Sequence, residues 1–145
     1  MIDLPQPASA RSDRPCTAIV RWLLLLGWMI LIYWLSAQPA VPHPGRAIGI
    51  RDQVVDYTAH ALLFAALALL VWWPLGDPRA LRLMPRTGRL GTALIFAALY
   101  AASDELHQIA VPGRYATLPD WLADMAGIVL VGALLWVWSL RRAEP

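Results

Sequence analysis

Five consecutive residues, Asp104-Glu105-Leu106-His107-Gln108, place two carboxylates, an imidazole and a carboxamide at the end of an apolar stretch running from Leu90 to Tyr100. Such groups are expensive at membrane depth, where a single Asp at the centre of a spanning helix costs about 2.5–3.5 kcal/mol on translocon-type scales. They persist where they face a partner or a wet cavity, so the run is a candidate site. Two further pairs carry chemistry. Asp56 and His60 are four residues apart, so one helical face holds both and the carboxylate can orient the imidazole. Asp120 and Asp124 repeat that spacing, and Asp120 also suits a first helical turn. Along the Leu90 stretch the spacing puts Tyr100, Asp104, His107 and Gln108 on one helical face, with Glu105 roughly 100° round from Asp104. Adjacent acids at a helix C-terminus repel each other and oppose the macrodipole; Arg114 is the nearest compensating cation in sequence and His107 the second.

Three chemistries fit such a set. The first is recognition of an amphiphile's head group, with Arg114 on an anionic group and the acids on hydroxyls or amines. The second is a divalent-metal site built from His60, His107 and Asp104, for hydrolysis of a lipid-linked substrate at the membrane surface. The third is a carboxylate and imidazole relay for protons or cations, which the scarcity of polar residues in the other halves of the helices disfavours. A purely structural cluster that locks helices together is the bland alternative. No nucleophile motif, Gly-rich phosphate loop or Cys-based metal spacing occurs, so catalysis stays open and no organic cofactor is indicated.

The elements that must position these residues are apolar and long. The chain has 145 residues, 59% of them hydrophobic and 15% charged, with eight Trp and a mean hydropathy of +0.52. Its apolar runs approach the roughly 20 residues that cross a hydrocarbon core. The expected class is all-α: a polytopic membrane protein with four transmembrane helices in a small bundle. The spans fall at about Ala18–Ala37, Val54–Trp73, Leu90–Val111 and Pro119–Trp138, separated by Pro39-to-Gly45, Pro74-to-Pro78 and Pro112-Gly113 breaks. Residues 1–17 form a disordered tail, 18–140 a single membrane domain and 141–145 a second short tail. Cys16 lies in the first tail as a passive thiol. Cleavage of the first span as a signal peptide is the lesser reading, since Trp22, Trp28 and Trp34 suit an anchored helix.

Arginine supplies all 12 basic residues. Arg11, Arg14, Arg21, Arg79, Arg82, Arg86, Arg89, Arg141 and Arg142 flank one side; only Arg46, Arg51 and Arg114 flank the other. That asymmetry places both termini in the cytoplasm of a cytoplasmic (inner) membrane. Trp22, Trp72, Trp73, Trp136 and Trp138 then form an inner aromatic belt, with Tyr33, Trp34, Tyr57 and Trp121 near the outer one. All the intramembrane polarity converges on the outer leaflet. A net charge of +2 without a basic face argues against nucleic acid as a partner.

The order Ser36-Ala37-Gln38-Pro39, Asp56-x-x-x-His60, Asp104-Glu105-x-His107-Gln108 with Pro112-Gly113-Arg114, then Asp120-x-x-x-Asp124-x-x-Gly127 resembles the VanZ-like family from the first span to the fourth. The resemblance implies a small bacterial membrane protein of about four helices, in a family named for a member linked to resistance against the glycopeptide teicoplanin. The ligand expected from the polar cluster itself is an amphiphilic or cell-envelope molecule, with a lipid-linked precursor or a glycopeptide as the candidate partner. Tyr57 stands where members usually carry Lys, and Asp124 where they often carry Asn, so the site here is more acidic.

Overall fold

A computed structural model describes residues 15–39, 51–76 and 85–141. The segments 1–14, 40–50, 77–84 and 142–145 lie outside the described residues, and with them Arg11, Arg14, Arg46, Arg79, Arg82 and Arg142. The described residues form four helices, α1 (Pro15–Ser36), α2 (Asp52–Leu75), α3 (Arg86–Ile109) and α4 (Leu118–Arg141).

Each helix begins before the apolar span expected for it; α2 and α4 also run past its end, whereas α1 stops at Ser36 and α3 at Ile109, just short of it. α1 starts at Pro15, so Cys16 belongs to its first turn rather than to a tail; proline fits the first helical position because its missing N–H would have no partner there. Pro74 lies inside the last turn of α2 instead of ending it. Arg86 and Arg89, expected in the second loop, form the first turn of α3, where the Arg89 N–H donates to the Pro85 carbonyl at 3.1 Å. Two cations at a helix N-terminus oppose the macrodipole, an arrangement that lipid head groups can offset.

Among the described residues, three helices are long and apolar enough to cross a membrane: Thr17–Ser36 of α1, then α2 and α4. α3 does not qualify by composition, because it carries Arg86, Arg89, Asp104 and Glu105. The bundle is nonetheless inside-out in the manner of lipid-embedded proteins. Large apolar side chains such as Leu23, Leu62, Leu99, Val129 and Leu134 face outward. The centre of α3 instead presents Ala93, Ala97 and Ala101, all fully buried. Small residues every four positions let backbones approach closely, and dispersion then replaces the missing hydrophobic drive between helices.

α2 and α3 occupy the middle, with α1 and α4 packed against both but not against each other. Midway along α1, Trp28 Nε1–H donates to the Leu63 carbonyl at 3.0 Å, and the Tyr100 hydroxyl donates to the Met29 carbonyl at 2.8 Å. Near the C-termini of α2 and α4, Trp72 meets Trp138 edge-on, 5.9 Å between ring centres, and the Arg21 guanidinium lies 5.2 Å over the Trp73 ring. The backbones of α2 and α4 approach closely at Gly127. A Cβ on Gly127 would be driven into the Ala61 carbonyl group, 2.8 Å from its carbon.

Gly127→Ala therefore forces the two helices apart and is expected to lower stability by about 1–3 kcal/mol. A methyl group added at Gly91 would meet nothing within 4 Å, so Gly91→Ala is expected to raise stability by roughly 0.8–1 kcal/mol through helix propensity. Thermal unfolding of both variants in detergent, followed by circular dichroism, checks the contrast; equal effects would show that the α2–α4 crossing is not sterically tight.

Candidate functional site

The inward stripe of each central helix ends in ionisable residues at the same end of the bundle. On α3 the stripe of Ala93, Ala97 and Ala101 continues into the buried Asp104, Glu105 and Gln108. On α2, Phe64 and Leu67 are preceded one turn earlier by His60, and on α4, Gly127 and Ile128 are preceded by Asp124. With α1 arriving by its C-terminus, four helix ends meet.

They enclose a cavity of about 550 Å³. Asp56 and His60 from α2, Asp104 and Gln108 from α3, Arg114 from the connecting loop, and Asp120 from α4 all line it, beside Ser36 of α1. Six of the nine expected site residues thus surround one space. Asp104 accepts a hydrogen bond from Gln108 Nε2 at 2.9 Å, one turn along the same helix.

His60 does not take its carboxylate partner from its own helix. Its Nδ1 lies 2.9 Å from Oδ1 of Asp124, across the α2–α4 crossing, whereas Asp56 was the partner expected from the four-residue spacing. With Asp124 ionised, the shared proton belongs on Nδ1. Asp124 is completely buried. A carboxylate there needs such a donor, because a buried charge left unpaired is strongly unfavourable.

Glu105 diverges from Asp104, as their angular offset requires. Its Oε2 accepts from the Thr117 N–H at 3.0 Å, while the Thr117 hydroxyl accepts from the Asp120 N–H at 3.2 Å. Thr117 precedes the first residue of α4, so this is an N-terminal cap in which Glu105 also places negative charge at the positive end of the dipole. Glu105 borders a second, shallower groove of about 370 Å³ with Ile109 and Trp121.

Arg114 does not compensate the α3 acids by contacting them. Its Nε donates to the Gln38 carbonyl at 3.0 Å and its Nη2 to the Leu35 carbonyl at 3.2 Å, so it caps α1. The preceding Gly113 turns the chain with φ of +81°, a conformation side-chain-bearing residues rarely adopt. Three of the five guanidinium N–H groups stay uncommitted by these two bonds, and the side chain lines the cavity.

Glu105, Asp124 and His107 stand outside this cavity, and His107 lies farthest from the role expected for it. It stacks on Tyr33 of α1, ring centres 4.3 Å apart, and does not line the cavity. The metal trio expected from sequence, His60 with His107 and Asp104, is not the trio that lies together. His60, Glu105 and Asp124 each offer a ligand atom within 4.8 Å of the others. Two participants were not among the candidate site residues. Ser36 entered only as part of the Ser36-Ala37-Gln38-Pro39 string, and Thr117 sits in a Thr-x-x-Asp pattern, Thr117 to Asp120, that a capping rule detects.

Residues 21–140 match the family model described as VanZ/LLP1. The chain belongs to the VanZ/LLP1 family. Its apolar helices make it a multi-pass membrane protein. No curated protein and no solved structure matches it. The family match bears out the resemblance carried by the Asp104-to-Gln108 string and Pro112-Gly113-Arg114, and it covers every residue of the cavity named above.

A double-mutant cycle separates the two carboxylate partners of His60. His60→Gln with Asp124→Asn is expected to show a coupling of about 0.5–3 kcal/mol in unfolding free energy, against near-additivity, within about 0.5 kcal/mol, for His60→Gln with Asp56→Asn. The reverse order would assign the imidazole to Asp56.

Proposed function

We propose that this VanZ/LLP1 protein binds the polar head of an amphiphilic cell-envelope ligand in the cavity where its four helix ends meet. The observation that carries this reading is the cavity itself. Its volume of about 550 Å³ falls within the 300–1,000 Å³ usual for small-molecule sites. Carboxylates, a carboxamide and a guanidinium line it together with the apolar Ile32, Leu35, Leu63 and Phe64. A head group with hydroxyls or amines suits Asp56, Asp104 and Asp120, and an anionic substituent suits the free edge of Arg114.

In the same reading α3 crosses the bilayer as a fourth span. Its 24 residues reach about 36 Å at 1.5 Å per residue. Its charges stand at its two ends, with Ile95, Leu99 and Leu106 exposed between and beside them. The arginine asymmetry then sets the termini in the cytoplasm of a bacterial inner membrane and the cavity in the outer leaflet. A lipid-linked envelope precursor or a glycopeptide is the fitting ligand class, which would connect the chain to teicoplanin-type resistance.

A structural lock is the competing reading, favoured by the His60–Asp124 pair and by the Arg114 bonds to α1. Native mass spectrometry of the detergent-purified protein with a lipid-linked envelope precursor distinguishes the two. Asp104→Asn, which keeps a side-chain oxygen to accept from Gln108, is expected to weaken retention about tenfold, the equivalent of one charged hydrogen bond, with little change in melting temperature. Unchanged retention, coupled to a lowered melting temperature, would leave only the lock.

A further inference from the structure

We propose that His60, Glu105 and Asp124 form a divalent transition-metal site of the Zn²⁺ or Mn²⁺ type at the junction of α2, α3 and α4. This site is separate from the head-group reading, since Glu105 and Asp124 do not line the large cavity.

Two independent features point to a ligand. The first is convergence: one imidazole nitrogen and one oxygen from each carboxylate lie within 4.8 Å of one another, although they come from three helices. Donor atoms about 2.0–2.2 Å from one ion stand roughly 3.0–3.6 Å apart, so a closure of about 1 Å suffices. The His60–Asp124 separation of 2.9 Å is already that short. The second feature is lack of satisfaction. Asp124, 0% exposed, and Glu105, 9% exposed, each keep one carboxylate oxygen buried with no hydrogen-bond partner: Oδ2 of Asp124 and Oε1 of Glu105. A helix cap and an ion pair satisfy their other oxygens, so packing alone does not account for an orphaned acceptor on each of two clustered carboxylates. A buried acceptor without a donor is costly, and a cation shared by both removes that cost.

The donor chemistry narrows the ion. One imidazole with two carboxylates and no thiolate suits Zn²⁺ or Mn²⁺ better than Cu(I), and the nitrogen ligand disfavours Ca²⁺ and Mg²⁺. The ion's charge matches the two carboxylates. His60 borders the large cavity and Glu105 the smaller groove, so the trio stands between two openings at one end of the bundle. Three protein ligands leave further coordination positions for water or a ligand oxygen. The greater acidity of this chain at Asp124 acquires a reason: an amide there would be a poor metal ligand.

The test is metal analysis of the purified full chain in detergent, incubated with Zn²⁺ or Mn²⁺ and desalted. Wild type is expected to keep one equivalent, as is His107→Gln, whose side chain lies outside the trio. Glu105→Gln retains an acceptor for the Thr117 N–H and Asp124→Asn one for His60, so both preserve the local bonds while removing a charged ligand; each is expected to weaken binding about tenfold or more. Retention equal to wild type in both variants, or none in wild type, overturns the site. Should the variants fail to fold, Co²⁺ titration of the wild type decides: a saturable visible absorption band supports the trio, and its absence sinks it. No lipid enters either measurement, so its failure is distinguishable from failure of the head-group reading.

Discussion

Everything at the polar end depends on how closely α4 can approach α2. Gly127 lies over the backbone of Ala61, and any side chain there would collide with main-chain atoms that have nowhere to go. His60 is the neighbour of Ala61, and Asp124 lies one turn before Gly127. The same crossing that brings the backbones together therefore brings the imidazole and the carboxylate to 2.9 Å. A wider crossing would leave a fully buried carboxylate without its donor, so steric and electrostatic requirements fix the same geometry. In lipid this matters more than in water, because close van der Waals packing has to replace the hydrophobic drive between helices.

The charged side chains around that crossing work at helix ends as well as in the cavity. Arg114 meets carbonyls at the C-terminus of α1, and Glu105 receives an N–H at the N-terminus of α4. Both pairings agree with the sign of the respective helix dipole. Between these two anchors, the short loop after α3 is tied at Arg114 to α1 and at Thr117 to α3. Gly113 makes this possible, since its left-handed conformation turns the chain just before Arg114. Glu105, unfavourable at the C-terminus of its own helix, thus caps the N-terminus of a neighbour.

The helices and their polarity were legible in the sequence because each depends on local pattern: long apolar runs, proline breaks, and polar residues confined to one end. The partners of those polar residues were not. Helical periodicity can name only neighbours on the same helix, so it paired His60 with Asp56 and grouped His107 with Asp104. The actual partner of His60 lies 64 residues away, and His107 is claimed by Tyr33 of α1. Glu105 illustrates the partial case: its offset from Asp104 followed from the helix geometry, but its role as a cap for α4 required the fold. The composition of α3 shows the limit of hydropathy, since a helix whose inner stripe runs from alanines into acids scores as polar while its outer face stays apolar.

A lock built only for stability would pair every polar group, and the polar residues here divide into those that are paired and those that are not. Trp28, Tyr100 and Arg114 use main-chain carbonyls to hold α1 in place. Those bonds fasten the helix without a carboxylate. Asp104, Glu105 and Asp124 add three buried acids to a bundle already held together by alanine and glycine contacts. Replacing such groups with apolar side chains of similar size commonly leaves a fold equally or more stable. Helix association therefore gives no reason to concentrate acids here, whereas cavity access for Asp104 and orphaned oxygens on Glu105 and Asp124 give a chemical one.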